Sequence, residues 1–365
     1  MPIYSSYDEL LAVLAASGLP VRTLGHCPDG SPMVCVRSGG DKLPAIFITA
    51  GSHSTEQAGV SAAVELARSL QTEHAVYVLP TRDPIGMNGY AYALGLGLGE
   101  TPSFSTFDEV EEILRSEGEV AYDEDGIVLS LIGDYGYASS RPSAQRPHPQ
   151  WMGYRTLQEV ARERPQVFAP FRGRRVYMTP GQEGVEGTGL FGRAYTLIIG
   201  LDGEILHINR FHDTAWAPVE PRVTRSLLAE IKPGLSFDLH ESQIMENRFW
   251  LSARHQADAD NQLWEERAAS AVVAAIATMG APIAEDLDVQ GIPLEQTWFR
   301  KSERGVYWLD ATIRGEGFNL MDFASRQYGL AFGTEMGMYG SFEERVNLAL
   351  TTVHTAVEVF SERYR

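Results

Sequence analysis

With 365 residues, 44% of them hydrophobic, the chain is long enough for a large core, and one α/β domain could use most of it. Its 30 Lys and Arg stand against 48 Asp and Glu, and the resulting net charge of −18 disfavours nucleic acid and anionic membrane surfaces as partners. No apolar run approaches the roughly 18 residues that span a bilayer, and Met1–Leu10 has no basic segment leading into an apolar one, so a cytoplasmic protein is expected.

In chain order, Ser6-x-x-Glu9 is a capping box that opens a helix to about Ala16, with Gly18 as its stop. Strands are expected near Val21–His26 and Met33–Arg37. They flank a Pro-Asp-Gly turn, across which Cys27 and Cys35 could pair, although two reduced thiols are the expected state. Ala45–Thr49 is a buried strand ended by Gly51, and a helix with apolar positions Val60, Ala63, Val64, Ala67 and Leu70 follows from Glu56. Ala75–Leu79 is another buried strand, and Thr81–Tyr90 reads as a loop from its Gly and Pro content.

The segment from about 95 to 192 reads as the least regular part, an insertion that covers the surface or shapes the rim of a pocket. Within it, Gly187-x-Gly189-x-x-Gly192 matches a dinucleotide fingerprint in letters only, because no strand leads into it. Tyr195–Ile199 and Ile205–Ile208 form a hairpin around Asp202-Gly203, and a helix from about Glu220 ends at Pro233-Gly234. Strands follow at Leu235–His240 and Phe249–Ala253, then helices near Asp260–Met279 and Asn319–Gln327. The last strand starts at Gly329, and Ser341-x-x-Glu344 caps the closing helix. This alternation predicts an α/β fold: one domain over 1–365 with a mixed, largely parallel central sheet and helices on both faces.

His53 and Glu56 sit on the turn between a buried strand and a helix, the usual place for a site in an open α/β sheet. An imidazole and a carboxylate three residues apart make a zinc-type pair that lacks a third ligand. His240 ends another strand and completes a set of two His and one Glu, which leaves a fourth position open, as in catalytic rather than structural zinc sites. Glu335, at the end of the last strand, is the candidate general base. Arg210 offers a planar fork for a carboxylate, with Asn209 beside it.

These residues, in this order, resemble the zinc metallocarboxypeptidase family, which includes the succinylglutamate desuccinylase/aspartoacylase group. The matching pieces are His53-Ser-Thr-Glu56, Asn209-Arg210, Asp238-Leu-His240 and Phe332-Gly-Thr-Glu335. The resemblance implies a zinc carboxypeptidase-like fold and one Zn2+ on His53, Glu56 and His240, with Glu335 activating the attacking water. It further implies that Asn209 and Arg210 hold the substrate's free carboxylate, that Arg193 is the nearest match to an oxyanion-stabilising arginine, and that Met321 lies where side-chain preference is set. The implied activity is hydrolysis of an amide bond beside a free carboxylate in a small peptide or acyl amino acid. An N-acyl-amino-acid deacylase and a non-catalytic carboxylate-binding protein are the alternatives. A serine hydrolase would need a Gly-x-Ser-x-Gly elbow, which is lacking. Glu241, next to His240, departs from the family pattern and is expected to add negative charge near the metal. Tyr307 and Tyr328 are both candidates for a substrate-capping tyrosine.

Overall fold

In the computed structural model, which describes residues 1–180, 189–242, 248–284, 299–309, 316–338 and 340–365, the Ser6 hydroxyl accepts from the Glu9 N–H and starts α1 (Tyr7–Ala16). A hairpin of β1 (Val21–His26) and β2 (Pro32–Gly39) follows, with Cys27 and Cys35 free and buried. Then come β3 (Lys42–Ala50), α2 (Gln57–Ser69) and β4 (His74–Leu79), a crossover that makes β3 and β4 parallel. In β3, Ile46, Ile48 and Ala50 enter one core and Ala45 and Phe47 another. Covered faces on both sides explain the unbroken apolar run.

The Thr81–Tyr90 stretch, expected as a loop, contains one helical turn and opens a second helix at Tyr90. Asp83 accepts from the Gly86 N–H and Pro84 occupies the first helical position of α3 (Pro84–Met87), so the Asp-Pro start signal overrides the glycines. α4 (Tyr90–Leu98) follows and stops at Gly99, whose φ of 86° suits glycine.

The 95–192 segment is also more regular than its sequence suggests. It carries α5 (Phe107–Glu117), β5 (Glu119–Glu124), β6 (Ile127–Ile132), β7 (Tyr135–Ser140), α6 (Pro149–Glu163), a 3₁₀ turn at Pro165–Phe171 and β8 (Arg175–Met178). With β9 (Tyr195–Ile199) and β10 (Ile205–His207) these strands build a six-stranded sheet ordered β10-β9-β8-β7-β6-β5. The sheet has its own apolar cluster, including Leu129, Tyr154, Leu157, Phe168 and Leu197. Among the described residues the chain therefore holds two sheets where one central sheet was expected. Gly187 of the glycine motif lies outside the described residues.

The chain returns to the main sheet through α7 (Val219–Ile231), β11 (Leu235–Ser242), β12 (Phe249–Ala253), α8 (Ala259–Thr278), β13 (Phe299–Glu303) and β14 (Val306–Leu309). It closes with α9 (Leu320–Gln327), β15 (Leu330–Gly337) and α10 (Phe342–Arg363). Among the described residues this sheet has nine strands ordered β1-β2-β4-β3-β11-β15-β12-β14-β13. The central four, β4-β3-β11-β15, are mutually parallel, and antiparallel pairs appear toward both edges. α2, α8 and α10 cover one face, while α4, α7 and α9 cover the other together with Tyr137 and Tyr177 of the second sheet. No helix among the described residues is long and apolar enough to cross a membrane.

Candidate metal centre

Three neighbouring parallel strands bring the chemistry together. β3 ends at Ala50, Gly51 turns the chain with φ +58°, and His53 and Glu56 lie on the connection into α2. Glu56 is the residue preceding the first turn of α2, yet its side chain makes no cap hydrogen bond and faces the two imidazoles instead. β11 pairs with β3 and carries Asp238 and His240 on one face two residues apart. In the register of β11 with β15, His240 lies beside Glu335. Gly59 lets α2 approach this sheet, since a Cβ there would stand 2.5 Å from the Leu239 carbonyl oxygen.

His53 Nδ1 lies 2.5 Å from Glu56 Oε1, and His240 Nδ1 lies 2.7 Å from Glu56 Oε2. One ligand atom from each residue falls within 4.8 Å of the other two. The outer nitrogens are held as well. His240 Nε2 is 2.9 Å from Asp238 Oδ2 and 2.9 Å from Asn209 Nδ2, and His53 Nε2 is 2.8 Å from His207 Nδ1. Burial outweighs the pull of Glu56 and keeps the His53 pKa low. Burial also opposes charge on His240, but Asp238 and Glu56 outweigh it and raise the pKa well above the usual value. Glu56 resists its own burial because the two histidines hold its carboxyl down to about 2.

This donor set fits a divalent ion. Two imidazoles present Nδ1 to the same carboxylate, their outer nitrogens have partners, and Glu56 is ionised, the form a ligand needs.

A buried polar network supports His240. The Arg82 guanidinium is fully buried and donates from Nη2 to Asp238 Oδ2 at 2.5 Å and to Asn209 Oδ1 at 3.0 Å. Asn209 also accepts from the Leu320 N–H at 3.1 Å and donates to Asp238 at 3.1 Å, with its Nδ2 2.9 Å from His240 Nε2. Both lone pairs of its side-chain oxygen are thereby engaged. Asn209 thus supports His240, a role its pairing with Arg210 did not suggest. Neither Arg82 nor His207 stands out as a site residue in the sequence. The available signal was their place, Arg82 just beyond a strand end and His207 two residues before Asn209.

Glu335 is partly exposed at the cluster. Burial of its carboxyl, with the negative charges of Glu56 and Asp238, pushes its pKa up to about 8 against the pull of His240 and Arg210. A bound cation acts in the opposite direction and favours the ionised form.

The remaining expectations divide. Arg210 reaches the centre electrostatically, since its charge acts on both His53 and Glu335. Its Nε and Nη2 donate to Glu316 Oε2 at 3.3 and 3.1 Å, and its Nη1 to the Asn209 carbonyl at 2.8 Å. Glu316 went unmarked at the sequence level because nothing around it has a motif. Arg193 is not at the cluster. Its guanidinium is buried among main-chain carbonyls of Tyr4, Ser5, Met87 and Gly192, so it anchors the N-terminal segment. Met321 is 1% exposed and packs in the core with Leu320 and Ala324, so it does not line a pocket. Glu241 points away from His240: it accepts from the Ala58 N–H at 2.7 Å and pairs with buried Arg345, which compensates the expected negative charge. Tyr307 is fully buried.

No family profile matches the sequence, and no curated protein matches it. Among solved structures, the fold is similar to a metallo-carboxypeptidase from Pseudomonas aeruginosa, with 11% identity and a TM-score of 0.51 over 97% of this chain and 69% of that one. It is also similar to bovine thrombin-activatable fibrinolysis inhibitor, with 10% identity and a TM-score of 0.50 over 98% of both chains. The chain therefore has the zinc carboxypeptidase fold, and its His-Glu-His cluster gives it a candidate metal site.

Proposed function

We propose that the protein is a zinc-dependent hydrolase that cleaves an amide bond next to a free carboxylate in a small peptide or acyl amino acid. The observation that carries this reading is the convergence of His53, Glu56 and His240 within 4.8 Å, with Glu335 beside His240 in the sheet register. His53, Glu56 and His240 would hold the ion, which when bound polarises a carbonyl and makes water more acidic. With Nδ1 serving as the ligand atom, His240 would keep its proton on Nε2, which lies 2.9 Å from Asp238 Oδ2 and would donate to it. Glu335, ionised beside a cation, takes a proton from the attacking water and returns it to the leaving nitrogen. Arg210 attracts the substrate carboxylate. It uses three of its five donors on Glu316 and Asn209 among the described residues, which leaves two.

The inserted segment favours small substrates. Its helix α6 carries Gln150, whose Oε1 accepts from the Thr55 hydroxyl at 3.1 Å, and so packs against the connection that holds Glu56. This keeps an N-acyl-amino-acid deacylase in view beside a carboxypeptidase. A panel of acyl amino acids and short peptides, assayed with zinc-loaded protein, tests the proposal. Turnover that disappears in Glu335→Gln supports it, and undiminished turnover in that variant refutes the role of Glu335.

A further inference from the structure

Arg210 is not the only arginine on the Glu316 carboxylate. Glu316 Oε2 accepts from Arg210, while its Oε1 accepts from Arg155 Nη1 at 3.0 Å and Gln158 Nε2 at 3.2 Å. Arg155 and Gln158 belong to α6 of the inserted segment, so no resemblance in the Asn209-Arg210 region announces them. The two sides of the carboxylate face different surroundings. Arg155, Gln158 and Glu316 line a cavity of about 370 Å³, with Arg162, Arg172 and Glu204, whereas Arg210 is outside that lining. Burial would raise the Glu316 pKa, but Arg210, Gln158 and Arg155 outweigh it, so the carboxylate is ionised.

An ionised carboxylate on the side edge of Arg210 already occupies the fork best suited to a substrate carboxylate. Being part of the same chain, it competes at high effective concentration. The cavity on its other side has room for a displaced side chain, and Arg155 and Gln158 are already bonded to it there.

We propose that Glu316 is the specificity-determining residue for the acidic end of the substrate. It occupies the Arg210 fork in the resting protein, and a ligand carboxylate takes that fork by moving Glu316 toward Arg155 and the cavity. This rests on the reading of Arg210 as the carboxylate receiver. Substrates must then bring enough binding energy elsewhere to displace Glu316, which selects against small free carboxylates such as acetate.

The test is calorimetric binding of N-acetylphenylalanine and of its carboxamide to zinc-loaded protein carrying Glu335→Gln, so that neither ligand is consumed. Adding Glu316→Gln replaces a charged acceptor by a neutral one and should tighten the acid about fivefold while leaving the amide unchanged. Arg155 and Arg210 share the Glu316 carboxylate, so adding Arg155→Met leaves it held by Arg210 and should weaken the acid at least threefold, again without effect on the amide. Opposite signs from two substitutions are not what a purely structural ion pair gives. Parallel shifts of acid and amide, no shift, or no acid binding in the Glu316→Gln protein overturns the proposal. If Glu316→Gln does not fold, the Arg155→Met result decides alone. Turnover plays no part in this readout, so failure to find a hydrolysed substrate would count against the proposed activity and leave the Glu316 result standing.

Discussion

Asp238→Asn isolates the support behind one proposed metal ligand, His240. A single oxygen, Asp238 Oδ2, takes the Arg82 guanidinium at 2.5 Å, the Asn209 amide at 3.1 Å and His240 Nε2 at 2.9 Å. Oδ1 is buried with no partner among the described residues, so an Asn can put its NH2 there and keep its oxygen on all three donors. Shape is preserved and charge is lost. Hydrogen bonds to a charged group are worth about 1.5–3 kcal/mol against 0.5–1.5 for neutral ones, so three bonds lose about 3 kcal/mol together. For 365 residues that lowers Tm by about 4 °C. The His240 share falls on the metal, and loss of such an outer partner typically costs 10–100-fold in affinity. Competition with a chromophoric chelator measures the affinity, and a thermal melt measures the stability. A zinc affinity within twofold of wild type, alongside the drop in Tm, would refute the idea that Asp238 orients His240 for a metal.

Other substitutions separate catalysis, packing and anchoring. Glu335→Gln should keep metal affinity within a few-fold and lower turnover by about 10²–10⁴, read by steady-state kinetics beside a chelator titration. Gly59→Ala pushes α2 off the Leu239 carbonyl, and a cost of about 1–3 kcal/mol with weakened zinc binding through displaced Glu56 is expected from the same melts and titrations. Arg193→Met strands four main-chain carbonyls and should cost about 2–4 kcal/mol and speed hydrogen exchange in α1, with zinc affinity unchanged. Burial raises the Asp83 carboxyl from 3.8 to about 7, opposed by the Gly86 N–H, so the folded state binds a proton that the unfolded chain releases. Its stabilising effect is complete below about pH 4 and is lost as pH rises to about 7, worth about 4 kcal/mol. Asp83→Asn should flatten that slope in melts from pH 4 to 8, and an unchanged slope would show the carboxyl ionised throughout.

The main sheet was legible because its strands are apolar on both faces and its helices start at Ser6, Asn319 and Ser341, whose side chains accept the expected N–H groups. Of the second sheet the β9–β10 hairpin was legible from its apolar runs around Asp202-Gly203, whereas β5, β7 and β8 were not, because such strands are short and polar at their edges, as Glu119–Glu124 shows, and their pairing is set by tertiary packing. The metal-ligand candidates were readable as strand-end residues, which is where topology gathers side chains from distant parts of the chain. Arg82, His207 and Glu316 were not, because each acts through a partner more than a hundred residues away. Arg193 and Met321 were misplaced for the converse reason: proximity to a motif in sequence says nothing about which way a buried side chain turns.

The most direct measurement is the zinc stoichiometry of the purified chain, by elemental analysis after equilibration and gel filtration, for wild type and for His53→Ala, Glu56→Ala and His240→Ala. One ion per chain in wild type, with loss of most of it in each variant, is the expected result. No bound zinc in a folded wild-type chain, or full occupancy in all three variants, would contradict the assignment of His53, Glu56 and His240 as a shared metal site.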